Sequence, residues 1–515
     1  MLPLLLPPSP QPTLFIILIL PLSLLLLRLS LQRILRARTH DTPPSPPKLP
    51  FIGNLHQLGS LSHRSLHALS QKHGPLMLLH LGQVPTLVVS SPDGARDVMR
   101  NHDQFFASRP ALKPAKVLLN DCKDLGLAPY GEYWRQLRKI CVVHLLSSIR
   151  VQSYRPIREE EVGFMIRKIS SQASPTTSVD MSEILYSLFN DILCRVVSGK
   201  FTREEGRNVL FRELIRESSV LLSKFYVGDY FPWLGWLDVL FGFLARVKKN
   251  KERWDDLLDG VIQEHEDRSA KGDDDGEKDF VDVLLSLRED HALLTPESIK
   301  ALLIDIFGGG TETADVTMEY AMAELVRHPR AMAKLQHEVR GIASTKGMVR
   351  EEELNEMVYL KAIIKEVLRL YPPAPLLIPR ELMEDCQIQG YSIPKKTRVI
   401  VNAWAISRDP SHWEAPEEFK PERFIGDGAM DFAGNDFQFT PFGAGRRICP
   451  GMNFAIASLE LALANLIYHF DWELPAGLTS EDLDMGEAFG FVLRRKQRLH
   501  LVAKPWSRLQ QQDQL

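Results

Sequence analysis

Pro441-Phe442-Gly443-Ala444-Gly445-Arg446-Arg447-Ile448-Cys449-Pro450-Gly451 is the stretch on which the reading of this 515-residue chain turns. A glycine-rich turn carries a single cysteine and runs into an apolar segment, Phe454 to Phe470. That segment is apolar nearly all round, so it predicts a buried helix. Cys449 then precedes a helix N-terminus, where the dipole favours a thiolate, and Arg446 and Arg447 add positive charge. The glycines let the backbone fold tightly and come close to something flat. A thiolate so placed suits ligation of a haem iron. The bland reading is a buried free cysteine beside a turn, the usual fate of a lone Cys.

The spacing Phe, two residues, Gly, one, Arg, one, Cys, one, Gly is met by Phe442, Gly445, Arg447, Cys449 and Gly451. In this the stretch resembles the haem-binding signature of the cytochrome P-450 monooxygenases. The rest of the chain can be asked whether it agrees.

Composition is ordinary for a globular chain, at 44% hydrophobic and 25% charged. Length alone allows about three domains. A net charge of −3 argues against a nucleic-acid role. Cys122, Cys141, Cys194, Cys386 and Cys449 are odd in number and lack CxxC spacing, so they indicate neither a disulfide framework nor a zinc site. A reducing compartment fits them.

Residues 1–27 hold no Lys or Arg, and Arg28, Arg33, Arg36 and Arg38 follow at once. This predicts a membrane anchor over 1–30, with the body on the cytosolic side of the charges. A cleaved signal peptide would want a basic start and a small-x-small site, and neither is visible. Thr42-Pro43-Pro44-Ser45-Pro46-Pro47-Lys48-Leu49-Pro50 is stiff extended backbone, so 31–50 reads as a basic and proline-rich hinge before a body of 51–515.

Residues 75–91 alternate as a β-hairpin with glycine at its turn. Trp134 and Arg138 lie four apart on one helix face, which alone would be a surface pair. Residues 225–244 are rich in aromatics, as core or as a surface dipping into a membrane interface. Residues 269–279 read as a polar loop. Thr295-Pro296 opens a helix that runs to His328-Pro329, about 33 residues or ~50 Å. Gly308-Gly309-Gly310 sits in its middle, at a cost of up to ~1 kcal/mol per glycine relative to alanine. That pays for close helix packing, or for a flat cofactor and dioxygen lying against the backbone. Glu366 and Arg369, three apart, would ordinarily be surface decoration.

With these motifs in order, the whole chain resembles a plant microsomal A-type cytochrome P-450. The resemblance implies one mainly α-helical catalytic body with a smaller β-rich region, rather than three domains. It implies haem b with Cys449 as the axial ligand, and Phe442 and Gly451 within the haem loop. Trp134, Arg138, Arg380 and Arg447 are implied to hold the propionates. Thr313, helped by Glu312, is implied to guide protons to the oxygen site; Ala314 departs from the family pattern by one hydroxyl. Glu366, Arg369 and Arg423 of Pro421-Glu422-Arg423-Phe424 are implied to form a buried structural triad.

Substrate choice is implied to rest on side chains above the haem. Leu118 and Leu119 come from the loop 117–127, and Phe307 from the long helix. Leu376, Leu377 and Ile378 come from the turn 374–378, and Phe489, Phe491 and Val492 from a late turn. Apolar residues at such spacings also commonly form core. The lining suits a lipophilic terpenoid, phenolic, coumarin or indole-type molecule and disfavours a highly charged one.

The chain has no nicotinamide or flavin motif of its own: Gly443-Ala444-Gly445 begins a GxGxxG pattern, but the sixth position of that pattern is Ile448. Electrons are therefore expected from NADPH through a separate, membrane-anchored NADPH–cytochrome P-450 reductase, with cytochrome b5 as a second donor, at the endoplasmic reticulum membrane. The competing readings are a reductase-independent haem-thiolate isomerase or dehydratase, which the retained Thr313 argues against, and a non-enzymatic haem-binding protein.

Overall fold

Local signals start and stop the elements that matter most. The computed structural model describes Ser23 and residues 42–506, except 175–176, 200–205, 272–277, 344–346, 427 and 489. Apart from Ser23, the expected anchor over 1–30 thus lies outside the described residues, as does Phe489. Among the described residues, no helix is long and apolar enough to cross a membrane.

The hairpin forms where alternation and Gly82 place it, as β1 (Leu76–Leu81) and β2 (Val84–Val89). Two further short strands, β3 (Arg380–Glu381) and β4 (Arg398–Val401), complete a four-stranded sheet in the order β1-β2-β4-β3. β2 and β4 run parallel, with Thr86 opposite Arg398. The end of the proline stretch docks on this sheet, because the Leu78 N–H donates to the Pro44 carbonyl at 2.9 Å. Asn54 Nδ2 also donates to the Pro46 carbonyl at 3.2 Å.

The rest is mainly helical. The helices that build the site are α1 (Lys113–Leu118), α2 (Glu132–Ile140), α3 (Met181–Ser198), α4 (Phe243–Lys271), α5 (Pro296–Arg327), α6 (Val358–Leu370) and α7 (Met452–His469). α4 extends through Lys271, so residues 269–271, expected in the polar loop, are helical. α5 starts as its cap predicts: the Thr295 hydroxyl accepts the Ser298 N–H at 3.3 Å, with Pro296 at the first position. It ends against Pro329, which opens the next helix.

α5 is the axis of the core. It packs along α3 and touches α6 and α7. The close fit to α3 uses a glycine: a Cβ on Gly310 would lie 3.0 Å from a Leu193 methyl. α7 is buried on most of its circumference, from Phe454 through Tyr468. At ~25 cal/mol per Å², burying such a helix contributes far more than its propensity does.

Residues 225–243 form a lid of short turns between the preceding helix and α4. Phe225, Trp233, Trp236, Val239, Leu240 and Phe241 are each more than half exposed, while Tyr226 is buried in the main core, so the stretch is partly core and largely surface.

Candidate haem-thiolate site

The cysteine turn folds through two left-handed glycines. Gly443 and Gly445 both have φ +69°, and a Cβ on Gly445 would sit 2.1 Å from the Met99 carbonyl oxygen. No side chain fits there. The Cys449 N–H donates to the Phe442 carbonyl at 2.9 Å, which closes the loop, and Gly451 caps α7. Phe442 packs edge-on to Phe432, ring centres 5.6 Å apart.

The charges differ from the expectation for Cys449. Burial pushes its thiol up from the ordinary value; the Gly451 N–H and Arg138 act in the opposite direction. Arg446 and Arg447 do not supply the stabilising charge, because the single 3₁₀ turn they occupy aims both away. Arg446 pairs with Asp103 at 3.1 Å. Arg447 donates to the carbonyls of Ala107 at 2.7 Å, Ala128 at 2.6 Å and Leu125 at 3.3 Å.

The four residues expected around the propionates do gather. The Arg447 guanidinium lies 4.1 Å over the Trp134 ring, and that of Arg138 lies 5.6 Å from it. Trp134 Nε1 donates to the Leu125 carbonyl at 3.0 Å, and Arg138 to the Ile448 carbonyl at 2.8 Å. Arg380 donates to Asp103 at 3.0 Å and to the Ala444 carbonyl at 3.0 Å.

A fifth group is Arg109, which the sequence did not single out. It is buried and donates to the carbonyls of Gly126 at 3.0 Å, Ile378 at 2.5 Å and Pro379 at 3.1 Å. Ser108-Arg109-Pro110 carries no local pattern; contacts from residues 126 and 378 bring it in.

These arginines strain one another. Burial, then the charges of Arg447 and Arg380, hold Arg109 well below the usual guanidinium range. Burial and Arg380 bring Arg447 down to about 9. Three acids, Asp103, Asp124 and Asp305, face five arginines, Arg109, Arg138, Arg380, Arg446 and Arg447, and balance them only in part. Asp103 is shared between Arg380 and Arg446. Asp124 is pushed up to about 7 by burial and by Asp305, which favours its neutral form near neutral pH. A group bearing carboxylates relieves this excess, as haem propionates do.

The facing helix also fits a flat group. Asp305 on α5 acts electrostatically on Cys449 and accepts the N–H groups of Leu125 at 3.2 Å and Gly126 at 2.8 Å, which ties this part of α5 to the arginine group. Gly309 is exposed between the half-buried Gly308 and Gly310, and a Cβ on Gly308, Gly309 or Gly451 would meet nothing within 4 Å. Thr313 Oγ1 donates to the Gly309 carbonyl at 2.7 Å, along this open face. Glu312 is buried and ion-paired with Arg494, a partner 182 residues away that no motif announced.

The pocket candidates divide. Leu118, Leu119 and Val492 are buried in the main core. Phe307 stacks on Phe211, ring centres 4.2 Å apart. Leu376, Leu377 and Ile378 are half-buried, and Phe491 is exposed. The two turns adjoin, since the Leu493 N–H donates to the Pro373 carbonyl at 2.9 Å.

The triad closes behind the turn. Arg369 grips Glu366 with two bonds, 2.7 and 2.8 Å, and Arg423 adds a third at 3.1 Å. Arg369 also donates to the carbonyls of Ser407, Pro416 and Glu418.

A cysteine on a glycine turn, a glycine-interrupted helix beside it and grouped buried arginines define a haem-thiolate protein. Residues 43–502 match the family model described as Cytochrome P450. Cytochrome P450 71A1 of Persea americana is 53% identical over 458 residues, 88% of this chain and 91% of that protein. The indole-2-monooxygenase of Zea mays is 49% identical over 467 residues, 89% and 87% of the two chains. Phenylacetaldehyde oxime monooxygenase CYP71AN24 of Prunus mume is 46% identical over 472 residues, 90% and 89%. The chain belongs to the cytochrome P450 family, in its plant A-type group, and is a cytochrome P450 monooxygenase.

Proposed function

We propose that the chain inserts one oxygen atom from O2 into a lipophilic small molecule of plant specialised metabolism, with electrons from NADPH through a separate reductase and with cytochrome b5 as a second donor. The observation that carries the reading is the unbalanced arginine group beside Cys449. Cys449 would ligate the haem iron. Trp134, Arg138, Arg380, Arg447 and the newly found Arg109 would hold the propionates, and Phe442 and Gly451 would shape the loop. When bound, the haem supplies the activation of dioxygen.

The chain's own part is proton supply and exclusion of water. Thr313 shares its hydroxyl proton with the Gly309 carbonyl. That bond can release the proton toward the open face and be refilled from behind. Glu312 is the next carrier, and its pair with Arg494 must loosen for it to act. Glu366, Arg369 and Arg423 hold the loop that leads to Cys449 and do no chemistry.

The substrate is an apolar, largely uncharged molecule: a terpenoid, a phenolic or coumarin, or an indole-type metabolite. The names of the maize and Prunus relatives, an indole and an aromatic oxime, support the aromatic members of this set. Residues Leu376, Leu377, Ile378 and Phe491, with Phe489, are the ones to set the choice. Residues 1–30 anchor the chain in the endoplasmic reticulum membrane with the catalytic body in the cytosol, and the exposed lid supports a second contact with that membrane.

Cys449→Ser abolishes the thiolate-type carbon monoxide spectrum of the reduced protein. Retention of that band in the variant refutes the ligand assignment. NADPH consumption that requires both reductase and substrate, with product formed, separates a monooxygenase from a reductase-independent isomerase.

A further inference from the structure

We propose that the cleft between the lid and the four-stranded sheet is a binding site for the phosphodiester headgroup of a membrane phospholipid. The cleft is about 570 Å3, bounded by β2, α1, the lid and the start of α4. Its charged lining is Lys113, Lys116, Lys396 and Arg398 against Asp229 and Glu381, four cations to two acids.

Arg398 is the centre of the site. It is 8% exposed. One Nη donates to the Asp229 carbonyl at 3.2 Å, and the guanidinium lies 5.4 Å from the Tyr230 ring centre. Its Nε is buried and has no hydrogen-bond partner among the described residues. A buried donor left unmet is costly, and the planar fork of a guanidinium matches phosphate oxygens.

The two acids offset part of this charge, since Arg398 acts on both and Glu381 stands opposite it in the sheet, and two cations remain in excess. Asp229 accepts the Lys113 backbone N–H at 2.9 Å, which occupies one of its oxygens. Glu381 is half-buried, and burial raises its carboxyl from the ordinary value.

The position names the occupant. Pro232 and Leu244 line the cleft and bracket the lid's exposed run of Trp233, Trp236, Val239, Leu240 and Phe241. An apolar face of this kind sinks ~5–10 Å into the boundary between headgroups and acyl chains. The mouth of the cleft then stands at phosphate level. A phospholipid lays its chains along the exposed run and its phosphate against Arg398. This rests on the membrane reading of the lid given above.

The test uses full-length, haem-loaded protein in neutral detergent, titrated with dihexanoyl phosphatidylglycerol below its micelle-forming concentration. Phosphorus NMR line broadening reads the affinity. Saturable binding is expected, weakened about tenfold by Arg398→Gln and likewise by Lys113→Gln with Lys396→Gln, and weakened further by salt. The double variant covers a low folded yield of Arg398→Gln. Unchanged affinity in the folded variants overturns the site. If inorganic phosphate binds as tightly as the lipid, the site reads a free anion and the lipid assignment falls. The lid is tested apart from this, by quenching of tryptophan fluorescence with brominated phosphatidylcholine in vesicles. If Trp233→Tyr with Trp236→Tyr leaves that quenching intact, the membrane reading of the lid fails, whatever the headgroup titration shows.

Discussion

The fold holds two buried arginine groups, and they are opposites. At Glu366 the charges answer one another: one carboxylate takes both guanidinia, and backbone carbonyls take the remaining donors of Arg369. Both Glu366 and Arg369 are fully buried. Around Arg109, Arg380 and Arg447 the cations outnumber the acids; burial lowers all three, and the charge of neighbouring arginines lowers Arg109 and Arg447 further. A closed group can only hold structure. A group left with excess charge is built to receive something of opposite sign.

The sharpest way to break this contrast is Glu366→Ala. It leaves two buried guanidinia facing each other, and the expected loss is ~3–5 kcal/mol of stability, seen as a large fall in folded yield and in thermal midpoint. A mild effect would mean that the triad is not the closed structural unit described.

Gly445→Ala should come next. The left-handed φ and the 2.1 Å approach to the Met99 carbonyl oxygen both oppose it. A loss of at least ~1–3 kcal/mol is expected, measured by denaturant unfolding of the haem-free protein.

Arg447→Met probes the open group. It should speed haem transfer to a scavenging apoprotein about tenfold, or ~1.4 kcal/mol, while the haem-free protein loses little, because removing one of several repelling cations offsets the lost hydrogen bonds. An equal loss in the haem-free protein would make this group structural like the first.

The smallest effect is on pH. Asp124 is pushed up to about 7 from an ordinary 3.8 by burial and by Asp305. The folded state thus holds a proton that the unfolded state has released. The contribution is fully present below pH 3.8 and fades as pH rises to about 7. The haem-free protein should lose thermal midpoint across that window, and Asp124→Asn should flatten the slope. A slope unchanged in the variant assigns the dependence elsewhere.

The legible features were those written within one turn or one element. The Thr295-Pro296 cap, the hairpin at Gly82 and the cysteine turn each depend on neighbours a few residues apart, so backbone sterics and periodicity reveal them. Trp134 and Arg138 share a helix face for the same reason. The direction of Arg446 and Arg447 was not legible, because nearness in sequence to Cys449 says nothing about which way a side chain leaves a tight turn. Arg109 and the Glu312–Arg494 pair escaped for want of any local pattern.

By itself the sequence determined the family, the cysteine, the long glycine-interrupted helix and the expectation of an anchor. The family came from the resemblance of its motifs, and the rest from composition, spacing and local backbone preference. Tertiary structure alone decided the balance of charge. Residues 103, 109, 124, 380 and 447 come from distant parts of the chain, and burial changes what each is worth. The same holds for Arg398, whose free Nε beside the lid follows from the pairing of β4 with β2 and from the lid folding over it. Coulomb interactions and desolvation depend on distance through space, and a one-dimensional pattern does not carry that distance.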